Sequence, residues 1–126
     1  MKYRDALAAL GLLAFGCAGP KPFDYNMKYK KGDITVTHVK GIMNGEPTIT
    51  NYRVEGAVET AVGSLPFSAT ENAIRITCEM DGYSRELRYN ASSIMPVGNC
   101  PEPKDLSKLR SDIAAATTDA AKSVKK

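Results

Sequence analysis

One imidazole and three thiols are the side chains in this sequence best suited to chemistry: His38, Cys17, Cys78 and Cys100. A histidine acting as a general base needs a nucleophile or carboxylate held against it. None stands beside His38 in sequence, and its β-branched surroundings predict a strand histidine at a sheet margin. Two cysteines and a lone histidine lack the ligand count and spacing of a zinc site, so no metal and no cofactor is expected. Aspartates and glutamates fall on positions that read as outward strand sites, with no pair set to converge for acid–base work. The sequence has no glycine-rich phosphate loop, no G-x-S-x-G elbow and no H-E-x-x-H helix. Asn90-Ala91-Ser92 fits a glycosylation acceptor, which matters only in a eukaryotic secretory pathway. No catalytic residue emerges, and the expectation is a protein that is not an enzyme.

Cys17 has a distinctive setting. Lys2 and Arg4 form a positive end, Ala6 to Phe15 an apolar run, and Gly16-Cys17 closes it. A run of about ten residues is roughly half of what a spanning helix needs, and it suits the apolar centre of a secretory signal. Residues 1–16 therefore read as a signal peptide. The arrangement resembles the lipobox of bacterial lipoproteins, with Cys17 at the lipidated position and Gly16 as the small residue before it. That family usually has leucine where Ala14 stands and a smaller residue where Phe15 stands. Ordinary signal cleavage after Ala18, with Gly16 and Ala18 as the small pair, therefore stays open.

The resemblance implies a diacylglycerol thioether on Cys17, usually with an N-acyl chain such as palmitate, and so contact with membrane lipid. Each buried methylene contributes about 0.8 kcal/mol, so several chains anchor durably where one does not. Ala18, in place of an aspartate, implies an outer-membrane anchor facing the periplasm if the host has two membranes. With Cys17 lipidated, Cys78 and Cys100 remain as an even pair in an oxidising compartment, and a disulfide between them is expected.

The elements that must carry these residues follow in order. Residues 17–22 are the anchor cysteine and a short Gly/Pro linker, 23–95 an antiparallel β domain, 96–104 a proline-rich connector and 105–126 an amphipathic helix with a basic tail. Phe23, Tyr25, Met27 and Tyr29 alternate with polar residues, the mark of a half-buried strand. Ile34, Val36 and His38 are expected on one side of the next. Thr48 to Val62 reads as extended, with Gly56 marking a bulge or bend. Ser64 to Asn72, which contains Pro66, reads as a loop whose Leu65 and Phe67 form a candidate contact tip. Asp81-Gly82 is a type I′ hairpin turn that pairs Met80 with Tyr83, Cys78 with Arg85, Ile76 with Leu87 and Ile74 with Tyr89. Asp105 caps the helix, whose stripe of Leu106, Leu109, Ile113, Ala116, Ala120 and Val124 thins toward a fraying end. The fold class is α+β, mainly β: a small antiparallel sheet of about five strands, curved or sandwich-like, with one C-terminal helix.

Formal charge is +3 over 126 residues; beyond the leader, fifteen basic residues face thirteen acidic ones, a net of +2. That balance is too small and too evenly mixed for a nucleic-acid partner. The ending Lys125-Lys126 is similar to that of the major peptidoglycan-linked outer-membrane lipoprotein, which would imply a wall linkage through Lys126. The leading functional expectation is a membrane-tethered, exported, non-enzymatic interaction module with an envelope protein partner, part of an envelope or secretion assembly. The alternative is an inhibitor or exclusion factor that blocks a lytic enzyme, phage or plasmid; small lipoprotein lysozyme inhibitors share the format of anchor, β domain and disulfide.

Overall fold

A computed structural model describes residues 19–124. The leader, Cys17, Ala18 and Lys126 lie outside the described residues. Seven strands form one antiparallel sheet in chain order: β1 (Lys21–Lys31), β2 (Ile34–Asn44), β3 (Glu46–Thr60), β4 (Gly63–Thr70), β5 (Ala73–Met80), β6 (Tyr83–Asn90) and β7 (Val97–Gly98). Among the described residues a single helix, α1 (Leu106–Ser123), follows. The α+β, mainly β class holds, and the sheet is one layer rather than a sandwich. Every strand lies beside its sequence neighbours, so short turns can join them all.

The two strands beyond the expected five have clear origins. β7 is a two-residue pairing of Val97 and Gly98 with Arg88 and Leu87. β4 occupies the stretch that reads as a loop around Pro66. Its pairing with β3 runs from Gly63 to Thr70, while its ladder to β5 starts only at Phe67. Pro66 thus stands outside the β5 ladder, where a missing N–H breaks nothing. Leu65 and Phe67 consequently form no exposed tip. Phe67 is 4% exposed within the core, and Leu65 packs partly buried against it.

The hairpin of β5 and β6 has the register that the turn dipeptide predicts, from Met80 opposite Tyr83 to Ile74 opposite Tyr89. Asp81 and Gly82 both take positive φ, 54° and 80°, as a type I′ turn requires. Arg85 keeps its inward parity but lies exposed at the rim, with its guanidinium 5.9 Å from the centre of the Tyr83 ring.

The longer strands do not pair in an even register. Register shifts fall between Asn26 and Tyr29 of β1, between Val36 and His38, and between Lys40 and Gly41. One extra residue in a strand reverses which parity faces the core and bends the strand. Ile34 and Val36 are buried, but after the shift Val39 is the buried residue and His38 faces out. Grouping His38 with Ile34 and Val36 is corrected by that bulge. Gly56 marks no bulge, because its register with β2 and with β4 is unbroken; the glycine is there for a steric reason, since a Cβ would collide with the Asp33 carbonyl, which accepts from Ala57 N–H at 3.2 Å.

The inward face of the sheet and α1 share one core. Val36, Val39, Val54, Ile74, Ile76 and Leu87 come from the strands, and Leu109 and Ile113 from the helix. Asp105 caps the helix by accepting from Lys108 N–H at 2.9 Å. Packing continues further than the stripe suggests. Ala116, Thr117, Ala120 and Ala121 are all buried, and of the stripe only Val124 lies exposed. Alanine here is the means of close approach rather than a weakening, because small side chains let the helix backbone near the sheet. Thr117 satisfies its hydroxyl on Ile113 O and Ala114 O, both at 3.0 Å. Lys31–Asp119 and Lys122–Glu46 ion pairs tie the last turns to β1 and to the start of β3.

Candidate functional site

The connector between β6 and α1 crosses the inward side of the sheet. Asn99 N–H donates to Glu86 O at 3.0 Å, and Cys100 then meets Cys78 on β5, with sulfurs at bonding distance and Cα atoms 6.0 Å apart. Pro103 bridges Thr60, and Lys104 N–H donates to Glu59 O at 2.9 Å on β3. The Tyr89 hydroxyl donates to Glu102 at 3.2 Å. Burial and the neighbouring Glu102 carboxylate push the Tyr89 phenol up to about 12. A segment that reads as a stiff proline connector is thus stitched across three strands, and it sets where the helix begins.

Two cavities flank the helix. The larger, about 500 Å³, lies where α1 begins over β2 and β3, with Ile34, Val58 and Leu109 as its apolar floor and Lys31, Lys104 and Asp112 on its rim. Some of its charges are paired: Lys31 with Asp119 at 2.7 Å and Lys108 with Asp112 at 2.8 Å. Each partner carboxylate holds its lysine above the ordinary value, chiefly through the hydrogen bond. Such a groove can take an apolar group under a charged rim.

The second cavity, about 390 Å³, is walled by Tyr52, Glu71, Ser92 and Arg110. Glu71 accepts from Tyr52 N–H and Asn51 Nδ2, both at 3.1 Å. Burial pushes its carboxyl up, but these donors and the field of His38 outweigh that and hold it below the ordinary range. Tyr52 is raised by burial and by Glu71, against the pull of Arg110. Arg110 Nη2 spans Ala91 O at 2.9 Å and Ser93 O at 2.7 Å, with its guanidinium 6.0 Å from the centre of the Tyr89 ring. That nitrogen closes the loop after β6. No sequence signal joins these residues, since they meet only through strand order.

His38 lies on the outward face, with Nε2 2.6 Å from Asp24 Oδ1 across the β1–β2 pair. Sequence proximity gave no hint of this carboxylate, because the two residues are fourteen positions apart. The pair lines neither cavity. Among the described residues no group of three His, Cys, Asp or Glu is placed to hold a metal ion, and no helix is long and apolar enough to cross a membrane.

The remaining feature is a margin. Among the described residues, the outer edge of β1 has no neighbouring strand. Tyr25, Met27 and Tyr29 lie partly buried along its inward side, with Phe23 stacked on Tyr25 at 5.2 Å. Comparison with protein-family models, with curated proteins and with solved structures finds no match to this chain.

Proposed function

We propose that this protein is an exported lipoprotein, held to a membrane through Cys17, whose β domain is a non-enzymatic interaction module of an envelope or secretion assembly. The observation that carries the reading is the pairing of Cys78 with Cys100, which leaves Cys17 as the cysteine outside the pair. Disulfides persist in oxidising compartments, and the leader before Cys17 has the order of an export signal. A lipid on Cys17 makes the anchor durable once two or more chains are buried. β1 begins four positions after that cysteine, a reach of about 14 Å at full extension. The domain would therefore work close to the lipid surface, where a partner in the same envelope meets it at high local concentration.

Intact mass of the membrane-extracted protein tests the anchor. The expected species begins at Cys17, carries acyl mass and lacks two hydrogens at the oxidised pair. A chain that begins at Met1, in the soluble fraction with every thiol free, would refute the reading. Crosslinking in intact cells then tests the module: a defined envelope protein should be captured by the anchored form.

A further inference from the structure

The sheet ends differently at its two margins. β7 is two residues long, and a very short last strand is a usual protection against unwanted pairing. β1 has eleven residues, about 36 Å of strand, and outside the register shift between Asn26 and Tyr29 every second backbone N–H and C=O points away from β2. The side chains beside this open edge differ by face. Inward stand Tyr25, Met27 and Tyr29, packed on the core but only partly covered. Outward stand Asp24, which is held by His38, then Asn26, Lys28 and Lys30, all exposed. Burial alternates without a break from Phe23 to Lys30, so the side chains of both faces stay in phase across the register shift in β1.

We propose that the open edge of β1 is a docking site for an extended segment of a partner protein in which acidic residues alternate with apolar ones. This rests on the interaction-module reading and names its surface. The added strand takes its main affinity from the backbone ladder and its selectivity from alternate side chains. Its apolar residues cover Tyr25, Met27 and Tyr29, and the acidic residues between them face Lys28 and Lys30. Lysines alone would suffice to keep an edge from pairing; the half-covered row beside them is what a partner strand completes. The same charges select against a second copy, because β1 carries four lysines and one aspartate, so self-pairing brings like charges together.

The oxidised mature protein, followed by amide NMR, is titrated with a peptide of about seven residues, a typical strand length, alternating valine and glutamate. A valine–lysine peptide and the valine–glutamate peptide N-methylated on either set of alternate amides are the comparisons. Shifts should concentrate in β1, with a preference of about tenfold or more for glutamate over lysine. Methylation of one amide set should abolish binding while methylation of the other leaves it. The double variant Lys28→Glu, Lys30→Glu should reverse the charge preference.

Insensitivity to both methylation patterns, shifts centred elsewhere, or self-association through β1 would overturn the proposal. So would binding to phosphatidylglycerol vesicles through the same lysines with no peptide preference. In cells, a photo-crosslinking residue at position 28 should capture the partner while one at Thr77, on the outward face of β5, should not. Capture from Thr77 alone would overturn the edge and leave the module reading standing. Capture from no position in the folded, anchored protein would remove both.

Discussion

Replacing both paired cysteines, Cys78→Ala with Cys100→Ala, removes a crosslink between residues 22 positions apart. In the chain-entropy model, closing a loop of that length restricts the unfolded chain by about 3 kcal/mol at 25 °C. Both cysteines are only half-buried, so the loss of sulfur packing adds little, on the order of 1 kcal/mol or less. The connector keeps its other ties: the β6–β7 pairing, the Asn99 and Lys104 backbone hydrogen bonds and the bridge of Thr60 to Pro103. The variant should therefore retain the native fold and simply unfold more easily. For a domain of this size, about 3 kcal/mol corresponds to a fall in Tm of roughly 10–20 °C.

Urea unfolding of the oxidised protein, the dithiothreitol-reduced protein and the double variant checks this. The midpoint should drop equally in the last two, and the slope should rise, because an uncrosslinked unfolded chain exposes more surface. An unchanged midpoint would refute the entropic reasoning. Loss of near-ultraviolet circular dichroism before any urea is added would refute the claim that the remaining ties hold the connector.

Gly56→Ala should destabilise by about 2 kcal/mol or more, because the new Cβ meets the Asp33 carbonyl, a backbone atom with no rotamer to yield; denaturant midpoints measure it. Tyr89 holds its proton more tightly when folded, so its contribution is intact below about pH 10 and fades as pH rises toward about 12. Thermal melts across that range should lose up to about 3 kcal/mol, and Tyr89→Phe should flatten the slope. Glu71 has the opposite sign: its folded carboxyl is held below the ordinary 4.5, so the stabilisation is present above that value and is lost as pH falls through the folded one. Glu71→Gln should be less stable at neutral pH and show a weaker acid dependence in the same melts.

What could be read from the sequence was what neighbouring residues decide among themselves. The β5–β6 register follows from a two-residue turn and eight apolar or polar choices around it, all within one hairpin. The Asp105 cap and the Leu109–Ile113 stripe are likewise local. A bulge is different, since it is a count of residues in one strand against its partner. Nothing in Thr35-Val36-Thr37-His38 announces that β2 spends an extra residue there, so His38 is grouped with the core until the pairing with β3 is known. β4 was hidden for a related reason. Pro66 reads as a break, and only the fifteen-residue length of β3 supplies a partner that makes an extended Ser64–Thr70 worthwhile.

The same distinction governs the features around the helix and the open margin. Tyr52, Glu71 and Arg110 converge because β3, the β4–β5 turn and α1 happen to be adjacent, an outcome of strand order that no spacing encodes. Measured by apolar volume, the alanines of α1 read as a stripe losing strength. Close backbone approach measures docking better, and Ala116, Ala120 and Ala121 are buried as completely as Val36. The alternation of Phe23, Tyr25, Met27 and Tyr29 made β1 legible as a half-buried strand. Partial burial at the middle of a sheet, however, is a matter of side-chain size, whereas at its margin it is a row with one side uncovered. Once β1 is known to be the first strand of a seven-stranded order, Tyr25, Met27 and Tyr29 change from evidence of a core into the wall of a place where another strand can lie.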